Sequence, residues 1–289
     1  MDNVFKGVGV ALVTPFNADG SVDYVGLEKL TNHLVDGGVN YLVVMGTTGE
    51  NPTVNGAEQQ EILQKVIEVN AGRLPIVFGI GGNNTADVVA RLKTENLEGV
   101  DGILSVSPYY NKPSQEGIYQ HFKAVNDASP LPVIMYNVPG RTGSTVSAAT
   151  TLRIANLPNI VATKEATGSF DICMDIVKEA PEDFLVISGE DGYTLPFIAS
   201  GMQGVISVIG NAYPMEFSQM VNYALDGDYK NAKHLHYKLW PAMKAIFMDG
   251  NPGGVKYILS KMGICGNYFR LPVVPVNEET QKALDKAML

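Results

Sequence analysis

Residues 102–136 read GILSVSPYYNKPSQEGIYQHFKAVNDASPLPVIMY, and this stretch decides the fold. Two short apolar runs rich in Val and Ile, at 102–106 and 133–136, indicate buried β-strands. Between them, residues 114–128 place apolar side chains at helical spacing. A strand, a helix and a second strand in this order predict a βαβ unit with two parallel strands.

The same alternation continues on both sides of this unit. Further strand candidates are residues 9–14, 41–45, 76–80, 160–164, 185–188 and 204–208. Further amphipathic helix candidates are residues 22–36, 57–70 and 86–98. Asp23 and Thr85 stand where helix N-caps are expected, and Gly37 and Gly38 stand where the first helix should end. Eight strands that alternate with helices predict an α/β fold, the closed (β/α)8 TIM barrel.

The pattern changes after the eighth strand. From residue 228 onward the spacing is helical only, at 229–247, 255–262 and 278–288. We therefore expect a barrel of residues 1–227 that carries the active site, followed by a C-terminal helical extension of residues 228–289.

A doubly wound open sheet is the alternative fold for alternating strands and helices. That fold usually carries a phosphate-binding glycine motif after its first strand. Gly7 and Gly9 have no third glycine in register, and the run at 79–84 ends in Asn where the last glycine should be. We therefore favour the barrel and predict no dinucleotide site.

The composition excludes several classes of function. The chain has 289 residues, 45% of them apolar and 18% charged, with a formal net charge of −9. Without a cluster of Lys and Arg, this charge argues against binding to nucleic acid or to an anionic membrane. No apolar run reaches the roughly 18 residues that span a bilayer, and residues 7–13 lack the flanks of a signal peptide. Cys173 and Cys265 form no CxxC pair, so we expect free thiols and a cytoplasmic protein.

Lys164 ends the sixth predicted strand, and barrel active sites lie at the carboxyl ends of the strands. Alternate residues of a strand share a face, so we expect Ile160, Ala162 and Lys164 to point the same way. If that face is the barrel axis, burial should lower the pKa of Lys164 toward neutrality. A neutral amine can form a Schiff base with a carbonyl substrate. The alternative is a strand-end lysine whose ammonium extends into solvent.

Other polar side chains follow the neighbouring strands. Tyr136 and Tyr110 can transfer protons through their hydroxyls or simply pack. Thr47 and Thr48 can bind a carboxylate, cap a helix or hydrogen-bond locally. The Arg141 guanidinium suits a carboxylate, whereas a loop arginine is usually only solvated. The residues alone leave these alternatives open.

Metal-dependent and serine-hydrolase chemistry find little support in the sequence. The histidines are His33, His121, His234 and His236. They form no HExxH motif, and the last two are two positions apart, which does not place them on one face of a helix. There is also no GxSxG elbow for a nucleophilic serine.

Four long motifs occur in the order of a known family: GTTGE at 46–50, SPYYNKPSQEG at 107–117, YNVPGRTG at 136–143 and TKEATG at 163–168. Through them the chain resembles the dihydrodipicolinate synthase/N-acetylneuraminate lyase group of pyruvate-dependent class I aldolases. The resemblance runs from residue 7 through the eighth strand and more loosely into the tail. It implies condensation of pyruvate with L-aspartate 4-semialdehyde to 4-hydroxy-tetrahydrodipicolinate, which opens the diaminopimelate route to lysine.

The resemblance also implies a role for individual residues. Lys164 matches the Schiff-base lysine, and Tyr136 matches the tyrosine that moves protons at the imine. Thr47 and Tyr110 match the rest of a hydroxyl relay, with Tyr110 expected to reach in from a neighbouring subunit. The remaining substrate-binding positions match Thr48, Ile206, Gly189 and Arg141. Arg141 would receive the carboxylate of the second substrate.

The implied mechanism uses the lysine as its own electron sink, so the resemblance implies no metal and no organic cofactor. It also implies a homotetramer built from tight dimers. The lysine-effector pocket of the family lies at that dimer interface, where Asn83 and Tyr109 match it. Gly56 and Gln59 stand where feedback-sensitive members tend to have histidines, so we expect weak or no inhibition by L-lysine.

Two other functions compete with this one. A related lyase or aldolase that acts on a sugar acid or another 2-keto acid would share the scaffold, but sialic-acid lyases lack an arginine at the position of Arg141. A non-catalytic binding protein that kept the fold would not need the set Lys164, Tyr136, Thr47 and Tyr110.

Overall fold

The computed structural model describes residues 4–289 and confirms the closed barrel. Eight parallel strands follow one another around the barrel in chain order, and the last strand pairs with the first. They are β1 (Gly7–Ala11), β2 (Tyr41–Val44), β3 (Ile76–Gly79), β4 (Gly102–Val106), β5 (Val133–Asn137), β6 (Ile160–Glu165), β7 (Leu185–Ser188) and β8 (Gly204–Ser207).

Helices surround the barrel and also follow it in the chain. Those of the barrel part are α1 (Tyr24–Asp36), α2 (Gly56–Asn70), α3 (Thr85–Thr94), α4 (Gln115–Ala128), α5 (Pro139–Thr142), α6 (Ala148–Ala155), α7 (Phe170–Glu179), α8 (Thr194–Ala199) and α9 (Pro214–Leu225). Those of the C-terminal extension are α10 (Tyr229–Ala245), α11 (Gly253–Lys261) and α12 (Glu278–Ala287). None of the helices in residues 4–289 combines the length and the apolar character that crossing a bilayer requires.

Side-chain caps set the starts of α1 and α3, the two helices whose N-caps were predicted from the sequence. The Asp23 side chain accepts a hydrogen bond from the backbone N–H of Gly26 and caps α1, as predicted. The N-cap of α3 is Asn84, and the prediction of Thr85 was wrong by one residue. The reason is that the Asn84 side chain accepts the backbone N–H of Ala86.

Strand β1 begins two residues earlier than predicted and ends at Ala11. The backbone N–H of Val13 donates to Asn211 Oδ1 at 3.1 Å instead of to a neighbouring strand. The Asn211 amide also donates to the Ala11 carbonyl at 2.8 Å. A side chain from the loop after β8 therefore takes over the hydrogen bonds at the end of this strand.

The apolar core consists of two clusters, one inside the barrel and one between barrel and helices. The inner cluster contains side chains that point to the barrel axis, such as Val43, Leu104, Ile134, Ala162 and Ile206. The outer cluster packs the opposite faces of the strands against the helices. Because both faces are buried, the strands are apolar nearly throughout, as in other parallel sheets.

A β-bulge in β6 changes the predicted facing of one residue. Val133 of β5 pairs with Ile160, but the next residue, Ile134, pairs with Ala162, so Val161 is an extra residue in β6. Ile160 accordingly belongs to the outer cluster, whereas Ala162 belongs to the inner one. The expectation that Ile160 shares the face of Ala162 was wrong, and the bulge is the reason.

The C-terminal extension bonds directly to loops of the barrel. Lys256 of α11 is fully buried, and its Nζ donates to Glu50 Oε1 at 2.8 Å. Arg270 donates to both carboxylate oxygens of Glu58, at 2.8 and 2.6 Å. Since Glu50 follows β2 and Glu58 lies in the first turn of α2, the extension holds the segment between these elements. A division of the chain after residue 227 stays a prediction.

Candidate active site

A cavity of about 360 Å³ opens at the carboxyl ends of the strands. Polar side chains from β5, β6, the neighbouring loops and the extension line it: Thr47, Thr48, Tyr136, Arg141, Lys164, Glu190 and Asn251. The backbone of Gly189 lines it as well. The structure therefore brings most of the predicted site residues together in one place, where a barrel fold carries its active site.

Lys164 reaches this cavity from β6 with its side chain inside the barrel. The residue is only 5% exposed, and its Nζ lies 4.3 Å from the centroid of the Tyr136 ring. Among residues 4–289 its ammonium has no ion-pair partner within 4 Å. Lys164 thus neither extends into solvent nor is neutralised by a fixed salt bridge, and its amine faces the space that a substrate would occupy.

Burial lowers the pKa of Lys164 to about 8, and the positive charge of Arg141 acts in the same direction. The carboxylates of Asp191 and Glu190 oppose this shift because they favour the ammonium form. A lysine of this kind has a substantial neutral fraction at neutral pH, and the neutral amine is the nucleophile.

Gly189 makes room for the lysine side chain. A Cβ at this position would lie 3.1 Å from Lys164 Cε and 2.7 Å from the Cβ of Ala166. The backbone N–H of Gly189 donates to the Glu165 carbonyl at 2.7 Å, which fixes the approach of the two strand ends. A side chain at residue 189 would have to displace Ala166 and would press against the stem of Lys164.

Tyr136 stands beside the amine, and Thr47 is a hydrogen-bond partner of Tyr136. Burial raises the pKa of Tyr136 to about 12, while the charge of Arg141 and a hydrogen bond with the Thr47 side chain act to lower it. The Tyr136 hydroxyl therefore keeps its proton at neutral pH. Two hydroxyl groups in hydrogen-bond contact next to an amine can pass a proton without creating an isolated charge.

Asn251 is a cavity residue that the sequence reasoning missed. Its Nδ2 donates to Thr48 Oγ1 at 3.0 Å, although the two residues are 203 positions apart. The only local signal was the stretch of residues 250–254, which contains three glycines and a proline in an otherwise helical tail and so indicates a loop. Nothing in that pattern says which loop it would meet.

Tyr110 lies at the surface of its own chain and outside the lining of the cavity. It is 87% exposed, and its φ of +72° is unusual for an aromatic residue. Its backbone N–H donates to the Thr142 carbonyl at 3.3 Å, which helps to hold this conformation. Its neighbour Tyr109, 42% exposed, lines an adjoining apolar cavity together with Tyr136 and Arg141.

The other predicted residues lie apart from the cavity lining. Ile206 is fully buried in the inner cluster of the barrel. Asn83 is half-buried, and its backbone carbonyl accepts from Asn111. The Gln59 amide is used internally, since it donates to the Val54 carbonyl at 2.8 Å and accepts from Arg91.

A metal site would need several ligating side chains close together. Within residues 4–289 no group of three or more His, Cys, Asp or Glu side chains is placed to hold a metal ion. Both cysteines, Cys173 and Cys265, are buried free thiols.

Comparison with known proteins places this cavity in context. Residues 4–289 match the model of the dihydrodipicolinate synthetase family. The chain is 52% identical to 4-hydroxy-tetrahydrodipicolinate synthase of Parabacteroides distasonis over 284 residues, which cover 98% of this chain and 96% of that protein. The dihydrodipicolinate synthase of Thermotoga maritima superposes with a TM-score of 0.96 at 40% identity and covers 99% of this chain and 98% of its own. The chloride-inhibited dihydrodipicolinate synthase of Acinetobacter baumannii, complexed with pyruvate, superposes with a TM-score of 0.95 at 38% identity and covers 98% of this chain and 97% of its own.

Proposed function

The chain belongs to the dihydrodipicolinate synthetase family and condenses pyruvate with L-aspartate 4-semialdehyde to 4-hydroxy-tetrahydrodipicolinate, and we propose that it does so through an imine between pyruvate and Lys164. The observation that carries this assignment is the buried amine in the barrel mouth, whose pKa is lowered to about 8. The protein is a lyase of the class I aldolase type.

The reaction begins with attack of neutral Lys164 on the keto carbon of pyruvate. The carbon–nitrogen bond forms, and the former keto oxygen leaves as water after it gains protons through Tyr136 and Thr47. The protonated imine withdraws electrons, so a methyl proton is lost and an enamine forms. The enamine carbon attacks the aldehyde of the second substrate, whose own amine then displaces Lys164 and closes the ring. A positioned proton donor of this kind typically contributes about 10² to 10⁴ in rate.

Arg141 is proposed to bind the carboxylate of L-aspartate 4-semialdehyde. Its side chain lines the cavity from α5, and within the described chain its guanidinium forms no salt bridge with a carboxylate. Its positive charge also acts on Lys164 and Tyr136, which places it close to the reacting groups. A free guanidinium at the mouth of the cavity is suited to bidentate binding of a carboxylate. Thr48, Ile206 and Gly189 are proposed to contact the pyruvate part.

Tyr110 is proposed to complete the hydroxyl relay from a neighbouring subunit. An aromatic side chain that is 87% exposed, on a residue with positive φ, has surface available for a partner. We propose a tight dimer that inserts this side chain, and, as the resemblance implies, a tetramer of two such dimers in the cytoplasm.

The effector site is proposed to bind L-lysine weakly or not at all. Asn83 and Tyr109 are present, but Gly56 offers no side chain, and the Gln59 amide is already hydrogen-bonded to Val54 and Arg91. A feedback ligand would therefore find fewer polar groups available on α2.

Borohydride trapping tests the imine directly. The protein is incubated with pyruvate and sodium borohydride, and its intact mass is measured. We expect an increase by one reduced pyruvate unit in the wild type and no increase in Lys164→Ala. An increase that persists in Lys164→Ala would place the imine elsewhere.

A coupled assay separates the second substrate from the first. Arg141→Ala should lose most condensation activity with L-aspartate 4-semialdehyde and keep trapping by pyruvate, whereas equal loss of both would contradict the role of Arg141. Cleavage of N-acetylneuraminate, measured beside it, should be negligible, and added L-lysine should change the condensation rate little.

A further inference from the structure

Asn251 connects the C-terminal extension to the active-site cavity. It lines the same cavity as Lys164 and Thr48, and its Nδ2 donates to Thr48 Oγ1 at 3.0 Å. Its Oδ1 is buried and has no hydrogen-bond partner among residues 4–289. Within residues 4–289 the Thr48 hydroxyl is thus the only group to which the Asn251 side chain is hydrogen-bonded.

The direction of this hydrogen bond determines what Thr48 can do. A hydroxyl group has one proton to donate and can accept two hydrogen bonds, whereas an amide nitrogen only donates. Thr48 Oγ1 must therefore accept from Asn251, and it keeps its own proton for another acceptor. Thr48 is 3% exposed, and its hydroxyl finds no acceptor in the described part of the chain. The proton is available to an acceptor that enters the cavity.

A second bond of the extension holds Asn251 in place. Five residues further along, Lys256 Nζ donates to Glu50 Oε1 at 2.8 Å and to the Thr14 carbonyl at 2.9 Å. Glu50 lies two residues after Thr48, so the extension binds the same loop at two points. Within the extension, Gly254 lets the start of α11 pack against the end of α10, since a Cβ there would lie 2.4 Å from the Ile246 carbonyl oxygen.

We propose that Asn251 is a positioning residue, which orients the Thr48 hydroxyl as a hydrogen-bond donor to the carboxylate of the oxoacid bound at Lys164. The proposal rests on the function given above, in which a substrate with a carboxylate forms the imine. It assigns to the extension a part in binding the first substrate, through a residue that itself need not touch the reacting atoms.

Asn251→Ala tests the proposal through the kinetics of pyruvate. A hydrogen bond to a charged group is worth about a tenfold to a hundredfold change in binding. We expect the KM for pyruvate to rise by about that factor, while kcat and the KM for L-aspartate 4-semialdehyde change less than about threefold. Loosening of the whole loop would lower kcat and move both KM values. Asn267→Ala is the matched control, because Asn267 also has a buried, unpartnered Oδ1 but does not line the cavity.

Thr48→Val and the double variant show whether Asn251 acts through Thr48. If it does, Asn251→Ala raises the KM for pyruvate in the wild type but adds nothing in the Thr48→Val background. A further rise in that background would overturn the proposal, as would a wild-type KM in Asn251→Ala. If Thr48→Val alone leaves the KM unchanged, the Thr48 hydroxyl does not bind the carboxylate, and both this proposal and the role of Thr48 in the proposed function fail, whereas the borohydride test of Lys164 is unaffected.

Asn251→Asp tests the direction of the hydrogen bond. An aspartate can only accept, so it should take the Thr48 proton away from the substrate and raise the KM for pyruvate more than Asn251→Ala does. An aspartate variant that binds pyruvate as well as the wild type would mean that Thr48 donates to residue 251, which would refute the proposed orientation.

Discussion

The pH dependence of imine formation follows from the environment of Lys164. With its pKa lowered to about 8, about one amine in eleven is neutral at pH 7, against about one in 3000 for a lysine with the ordinary pKa of 10.5. Burial therefore increases the concentration of the nucleophile about 300-fold at pH 7. Glu190→Gln is the informative perturbation, because the Glu190 carboxylate favours the ammonium form of Lys164.

The rate of imine formation is measured by rapid mixing with pyruvate and quenching in borohydride over a range of pH. In the wild type we expect the rate to rise about tenfold for each pH unit below 8 and to level off above it. In Glu190→Gln the pH at which the rate levels off should be lower than in the wild type, and the rate at pH 7 should be higher. Glu182→Gln is the matched control, since Glu182 precedes β7 at the opposite end of the barrel and is exposed.

Two results would refute this reasoning. A rate that keeps rising to pH 10 would mean that Lys164 titrates like a lysine in water and is not desolvated. If the rate in Glu190→Gln levels off at a higher pH than in the wild type, the carboxylate does not act on the amine through its charge.

Three further predictions concern the packing and charge of the site. Gly189→Ala should slow borohydride trapping while the protein stays folded, because the new Cβ would lie 3.1 Å from Lys164 Cε and press against the stem of the lysine; trapping at the wild-type rate would show that the lysine has room to move. Lys164→Met should stabilise the protein by about 3 kcal/mol at pH 7 in urea unfolding, because the folded-state pKa of about 8 lies below the ordinary lysine pKa of 10.5 that applies to the unfolded chain. The cost of the charged lysine is fully present below pH 8 and disappears as the pH rises to 10.5, so the gain in Lys164→Met should vanish over that range. Lys256→Met should destabilise the protein by about 3–5 kcal/mol, because it leaves the buried Glu50 carboxylate without its partner; the double variant with Glu50→Gln should recover most of this loss, and its failure to do so would assign the effect to packing alone.

The barrel itself could be predicted because its signals are local. Each strand is a short apolar run bounded by turn residues, and each helix shows its own spacing, so the alternation is visible without any knowledge of long-range contacts. The position of Lys164 at the end of β6 follows from the same reading. Its closeness to Tyr136 follows as well, since β5 and β6 are neighbours in a barrel built in chain order.

The bulge at Val161 could not be predicted in this way. The sequence IVATKE looks like one uninterrupted strand, and strict alternation places Ile160 with Lys164. The extra residue is visible only in the pairing with β5, where Ile134 pairs with Ala162 and Val161 is skipped. Register depends on the neighbouring strand, and one residue of difference moves a side chain to the other face.

The amino-acid sequence by itself determined the closed barrel, the lysine at its mouth and the motifs that carry the family resemblance. The tertiary structure alone decided that Lys164 is buried with a lowered pKa, that Tyr110 stays outside its own cavity, and that Asn251 reaches Thr48 across 203 positions of chain. The physical reason is that desolvation and hydrogen bonding depend on which surfaces meet. Contacts between distant segments leave no periodic signal in either of them.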